Sequence, residues 1–506
     1  MFDQIPGEIP RLRATTNMKT ILSTVRTGLV TAITAAGLTT TSLHAQAASQ
    51  DDLNALREQI RQLDQKLRIL ERTTEIKDEA AVADAKKQAK ITFTDKGLSF
   101  ASADGANYFK LHGLVQADSR WFFGADGPNN HDAFLLRRAR LIFEGGFAKN
   151  YEYLIVPEFG GGSGNGTLTL LDAYINVNLK PQFQIRAGRF REPVGLEQLQ
   201  SDAVAFFAER SIVSQFVPNR DIGVQLWGDL FNGTLGYAVG VFNGVPDGTN
   251  NGSNTDGNNE KNFAARLFAQ PFKNDKDSAL AGLGFGAGAS IGKENNNPGG
   301  LTSGYKTDGQ QTWFSYSAAT TAAPITSGTV ANGNVSRVSP QAYYYNGPFG
   351  FLAEYVVSSV DVRNAKTTAP IVTNKKQLVN RAWQVAAGYV LTGEDAGYKG
   401  VTPATNFSLV DGTWGAFEIV GRIEQADIDD GAFSGPAATR LANIKTSASG
   451  AKAYGVGLNW YLSKTVRASF DYFHTKFDLA PGATPASTSV IAHDENAFVT
   501  RLQITF

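Results

Sequence analysis

"FLLRRARLIFEGGF" occupies residues 134–147. From Arg138 onward it alternates like a β-strand. Arg138 and Arg140 fall on one face, and Ala139, Leu141 and Phe143 on the other. A dry protein core does not take unpaired guanidinium groups, because desolvating such a charge is costly. A wall with lipid on one side and water on the other accommodates both faces. Arg137 breaks the alternation, so the stretch also predicts a strand end or a local bulge at that residue.

Working outward, the same alternation recurs from Tyr108 to Phe506. "FKLHGLVQADSRW" (109–121) sets Phe109, Leu111, Val115 and Trp121 against Lys110, His112, Gln116, Asp118 and Arg120. "LLDAYINVNL" (170–179) sets Leu171, Ala173, Ile175, Val177 and Leu179 against Asp172, Tyr174, Asn176 and Asn178. "NAFVTRLQITF" (496–506) sets Phe498, Leu502, Ile504 and Phe506 against Arg501 and Gln503. Any one of these would suit a half-buried strand of a soluble sandwich. Their repetition, with full charges on the polar face, predicts an all-β transmembrane barrel. Such a sheet must close, since lipid cannot satisfy an open edge.

Short connections such as 148–150 and 463–464 alternate broadly with long Gly/Asn-rich ones such as 244–260. About 17 strand-like segments can be found, and ends on the same side of the membrane require an even number. The weakest, "TWFSYS" (312–317), is therefore assigned to an extracellular loop, leaving 16 antiparallel strands. The long segment 392–413 is an exception on the periplasmic side. Phe506, at the C-terminus, resembles the terminal aromatic of bacterial outer-membrane barrels.

The chain has 506 residues, with 47 Lys plus Arg against 47 Asp plus Glu. That balance argues against a nucleic-acid partner held by bulk charge. With no cysteine, disulfides, iron–sulfur clusters and thiolate zinc sites are excluded. "MKTILSTVRTGLVTAITAAGLTTTSLHAQA" (18–47) has a basic start, an uncharged apolar stretch and a small-x-small end. It predicts a secretory signal peptide, with 1–17 an upstream extension. Residues 48–105 are expected to lie in the periplasm. There Leu53, Leu56, Ile60, Leu63, Leu67 and Leu70 are spaced as a heptad seam. A coiled coil is expected over 51–72, then a polar connector over 73–105. The barrel follows over 106–506, its third loop at about 192–219.

Catalysis is not expected, nor is a cofactor or metal. The five histidines, His44, His112, His131, His474 and His493, form no HExxH pattern. "GGGSGNG" (160–166) lacks the Lys-Ser/Thr ending of a phosphate loop. An outer-membrane hydrolase would need a serine beside a histidine near the lipid boundary; His474 is the one candidate, more simply an interfacial anchor.

The lumen is the candidate site. Register points Arg120, Arg138, Arg140, Arg186, Arg266, Arg422, Arg467 and Arg501 inward, with Asp118, Glu144, Asp172, Glu418, Glu424 and Asp471. These charges either pair across strands or attract anions. Between two strands, "EPVGLEQLQSDAVAFFAERSIVSQFVPN" (192–219) carries apolar Leu196, Leu199, Val204, Phe206 and Phe207. Such content predicts a loop folded into the barrel, bringing Glu197, Asp202, Glu209 and Arg210 to a constriction.

"GRFREPVGLEQLQS" (188–201), "FFAERS" (206–211) and "NRDIGVQLWG" (219–228) resemble the third-loop region of the phosphate-selective porin O/P family. "RRARLIFEG" (137–145), "LLDAYINV" (170–177), "YYYNGPFGFLAEY" (343–355), "VLTGEDAGYKG" (390–400) and "GTWGAFEIVGRIE" (412–424) resemble its other segments, in order. The resemblance implies a homotrimeric, 16-stranded porin in the outer membrane of a Gram-negative bacterium. It implies passive diffusion of small anions such as phosphate or polyphosphate past an inward third loop. By position, Arg137 and Arg138 match an arginine pair lining the constriction, Asp172 an acidic member, Arg210 a loop arginine and Ser201 a loop serine. Arg140 joins them by register. A loop lysine of the selective members has no counterpart, Gln198 or Leu199 standing near its place. Of their extracellular arginine ladder only Arg266 remains. These departures argue against strong phosphate selectivity and leave the porin architecture intact. A porin for a sugar or organic acid, or a plugged structural barrel, are the alternatives.

Overall fold

A computed structural model describes residues 50–85, 88–124, 131–160, 168–250, 259–320, 325–365 and 374–506. The proposed signal peptide and nearly all of "GGGSGNG" lie outside these residues. Two units separate, Met1–Ala85 and Lys86–Phe506. The described residues of the first form a helix, α1 (Gln50–Ala85), on which the heptad leucines are solvent-exposed.

The second unit opens with a hairpin, β1 (Lys90–Thr94) and β2 (Gly97–Ala101). The sequence reading of 73–105 as a plain connector is thus corrected. The helix continues through its first part, and "KITFTDKGLSFA" alternates well enough to pair. Eight strands follow: β3 (Tyr108–Phe123), β4 (Ala133–Phe147), β5 (Tyr151–Glu158), β6 (Thr169–Lys180), β7 (Phe183–Arg191), β8 (Arg220–Leu230), β9 (Leu235–Phe242) and β10 (Asn262–Ala269). After β11 (Leu283–Asn297) comes a small separate ribbon, β12 (Tyr305–Lys306) with β13 (Thr312–Phe314). The rest are β14 (Thr329–Asn346), β15 (Phe349–Asn364), β16 (Lys375–Val390), β17 (Ala416–Asp427), β18 (Gly450–Tyr461), β19 (Val466–Asp478) and β20 (Glu495–Thr505).

Leaving out β1, β2 and the ribbon, 16 strands pair antiparallel with their neighbours in sequence, and β20 pairs back onto β3. The barrel is closed. Part of "TWFSYS" forms β13 in a loop, as the strand count required. The short connections, the barrel's chain ends and the long segment 391–415 share one end of the barrel, here the short-turn end. The third loop, 192–219, and the ribbon segment, 298–328, start from the opposite, long-loop end.

The opening stretch is now explained. In the β3–β4 ladder Gln116 faces Arg138, but Ala117 faces Leu136. Arg137 is the extra residue of a β-bulge. Before it the outward residues are Phe134 and Leu136, 81% and 50% exposed. After it the outward residues are Ala139, Leu141 and Phe143. The bulge resets the register and lets Arg137, Arg138 and Arg140 all project inward within four positions.

The apolar core lies inside the barrel rather than between sheets. Ile212, Val213, Phe216 and Val217 of the third loop pack with Tyr305, Trp313 and Phe314 of the ribbon. Phe216 stacks on Tyr305 with ring centroids 4.1 Å apart. Side chains of this kind each contribute about 1.5–3 kcal/mol when fully buried. That is why two polar-ended loops stay inside a water-facing lumen.

Candidate functional site

The third loop crosses the lumen and is held mostly through its main chain. Glu354 of β15 accepts hydrogen bonds from the amides of Leu196 (2.8 Å) and Glu197 (3.2 Å). Asp471 of β19 accepts one from Ala208 (2.7 Å), and Glu424 of β17 one from Ile212 (2.7 Å). Arg467 donates to the Ala205 carbonyl (2.9 Å), Asn459 to Phe206 (2.7 Å) and Gln503 to Ala203 (2.9 Å). The inward polar faces of the strands thus satisfy backbone groups that burial would otherwise leave unpaired.

Two loop carboxylates gather the arginines. Glu209 receives Arg137 in bidentate fashion (2.6 and 3.0 Å), Arg120 (2.8 Å) and Arg501 (2.9 Å). Asp202 receives Arg138 and Arg191, each at 3.3 Å, and closer contacts from Arg140 and Arg210. Arg140 also pairs with Glu158 at 2.5 Å. Arg501 pairs across the strands with Asp118, at 2.7 Å to each oxygen. Burial opposes ionisation of Asp202, but Arg138, Arg210 and Arg140 hold its carboxyl well below the usual range. Glu209 is depressed in the same way by Arg137, Arg501 and Arg120.

Two cavities flank this crossing. The one toward the long-loop end measures about 430 Å³ and includes Arg137, Arg138, Arg140 and Arg210 in its wall. The one toward the short-turn end measures about 380 Å³ and includes Asp172 and Ser201. Arg140, Asp202 and Arg220 line both, so these three bound the aperture between them. Four of the sequence-read residues, Arg137, Arg138, Arg140 and Arg210, therefore come together around Asp202 and Glu209. Asp172 sits on the other side, taken by Arg220 Nε at 3.0 and 3.1 Å.

Arg220 and Lys306 escaped the sequence reading. Arg220 opens β8, where a strand start reads as ordinary. Lys306 arrives from the ribbon segment, part of the connection read from sequence as an extracellular loop. Its ammonium lines the larger cavity with no ion pair among the described residues. Burial, then Arg137 and Arg120, lower its pKa from the ordinary lysine value. It brings a lysine to the constriction that the third loop lacks. His474, weighed as a hydrolytic residue, contacts Asn496 at 2.8 Å and Asp494 at 3.7 Å rather than a serine.

A closed barrel with an apolar outer wall, a charged lumen and an inward loop defines an outer-membrane porin, a channel. The chain belongs to the family of phosphate-selective porins O and P, whose pattern matches residues 109–506. It is 24% identical to Porin O of Pseudomonas aeruginosa over 428 residues, covering 82% of this chain and 92% of that protein. Among solved structures, the outer-membrane channel DcaP of Acinetobacter baumannii covers 79% of this chain and 98% of its own at 14% identity, with a TM-score of 0.47. A loop-deletion mutant of OmpT from Vibrio cholerae covers 79% and 100% at 10% identity, also with a TM-score of 0.47.

Proposed function

We propose that the channel passes small hydrophilic anions passively, phosphate-like oxyanions among them, from the extracellular long-loop end to the periplasmic short-turn end. The observation that carries this reading is the charge of the two cavities. Six cationic side chains line the larger against four anionic ones, Glu158, Asp202, Glu209 and Asp247. Four guanidinium groups line the smaller against Asp172 and Asp202. A positive surplus on both sides of the aperture draws anions through and repels cations. Because Asp202 and Glu209 quench most of the arginines, binding is weak enough for release. Arg137, Arg138, Arg140 and Arg210 set the charge of the passage, Arg220 and Lys306 add to it, and Asp172 and Ser201 face the exit.

Family membership and likeness to Porin O support phosphate as one such solute. The exposed heptad seam of α1 supports a periplasmic coiled coil that joins three copies. Single-channel recordings test the reading: chloride preference in a KCl gradient, with conductance reduced by added phosphate, is expected. Potassium preference without phosphate block would overturn it.

A further inference from the structure

Arg186 of β7 stands apart from the other arginines of the passage. Its guanidinium carbon lies 4.4 Å from the centre of the Tyr174 ring, 4.8 Å from Trp227 and 5.5 Å from Phe190. No carboxylate pairs with it among the described residues, and its Nε is buried without a hydrogen-bond partner. The rings around it are fixed: Trp227 donates to Asn176 at 2.9 Å, and Asn176 is itself held by Glu152 and Gln184, both at 3.0 Å. Arg266 repeats the pattern in the adjoining cavity of about 190 Å³, which Arg186 also lines. Arg266 lies 4.4 Å over Phe268 and, among the described residues, donates only to the neutral Gln341.

The exit-side cavity thus joins the guanidinium of Arg186, which has no carboxylate partner among the described residues, to an apolar wall of Ile142, Leu154, Val156 and Phe190. A bare inorganic oxyanion uses the cations and gains nothing from that wall. A carboxylate on a flat apolar body uses both. Ring stacking engages the faces of the guanidinium and leaves its N–H edge for a carboxylate fork.

Resting on the anion-channel reading, we propose that this cavity is a binding subsite for organic anions, carboxylates carried on an aromatic or flat apolar body, just past the aperture. The test uses benzoate and acetate, equal in charge, added from the periplasmic side during KCl recordings. Benzoate should block at about tenfold lower concentration than acetate. Arg186→Met should raise the blocking concentration of benzoate about tenfold, and Trp227→Leu should erase the preference over acetate. Calorimetric titration of detergent-solubilised protein with benzoate gives a second readout, independent of insertion into bilayers. Equal block by the two anions, or an Arg186→Met protein that binds benzoate like the parent, would overturn the proposal alone. A potassium-preferring parent channel would overturn the underlying reading as well.

Discussion

Asp202 collects four guanidinium groups, from Arg138, Arg140, Arg191 and Arg210, and is almost wholly buried. Its pKa is depressed, so the stability it confers is present above the ordinary carboxylate range and is lost only as pH falls through that depressed value. Mild acid therefore leaves the loop tied. Asp202→Asn removes the charge and leaves four cations facing one another. Breaking such a buried network costs about 3–5 kcal/mol. The variant should melt at lower temperature and show a noisier but more anion-preferring channel, read by thermal unfolding and by reversal potentials. Glu192, at the base of the loop, behaves oppositely. Both carboxyl oxygens are buried without a partner, and burial with Asp221 nearby pushes its pKa up to about 8. Between the ordinary value of 4.5 and about 8 the unfolded chain gives up this proton while the folded one keeps it. Stability therefore falls as pH rises through that window. Glu192→Gln should flatten the decline in melting temperature across it. Lys306 gives a third signature. Its lowered pKa means that anion preference should weaken in the alkaline range before an ordinary lysine titrates. Lys306→Gln should lower chloride preference at neutral pH and remove that dependence.

At the scale of elements, the bulge in β4 and the third loop act together. The bulge delivers three arginines, and the loop supplies the carboxylates that receive them. Deleting Arg137 would erase the extra residue and leave a plain alternation, with Phe134, Leu136, Ala139, Leu141 and Phe143 all still facing outward. Arg137→Ala keeps the bulge and removes one of the three guanidinium groups on Glu209. Both variants should therefore refold into detergent micelles, checked by a gel assay comparing heated and unheated protein; failure of the deletion alone would show that the bulge itself is needed for the barrel to close. Both the bulge and the inward loop were legible, the first from a broken alternation at Arg137 and the second from apolar residues where a solvated loop has none. The ribbon segment was not. Tyr305, Trp313 and Phe314 look like a short extracellular strand, and only contact with Phe216 reveals them as core. Pairing of the arginines was likewise half visible: periodicity gives the side on which a charge lies, not which distant carboxylate meets it.

For the whole molecule, ring closure means that all 16 barrel strands have two neighbours, and no edge among them is offered to another chain. Assembly of copies must then rest on side chains or on α1. A chain lacking residues 50–85 should still fold as a barrel, because these residues form a separate unit; on the proposed coiled-coil assembly it should cross-link as a monomer and the full chain as a trimer. Strand number was readable because alternation is local and an even count is imposed by the membrane. The hairpin of β1 and β2 was not, since five-residue strands carry too little pattern to rise above a polar linker.

The wall grips the third loop chiefly by carbonyl oxygens and amide hydrogens, which every amino acid carries. Residues at the aperture can therefore be exchanged over evolutionary time while the scaffold that aims them stays in place. Such a frame lets one ancestral pore diversify toward new nutrients by small steps, each intermediate remaining a folded, working channel.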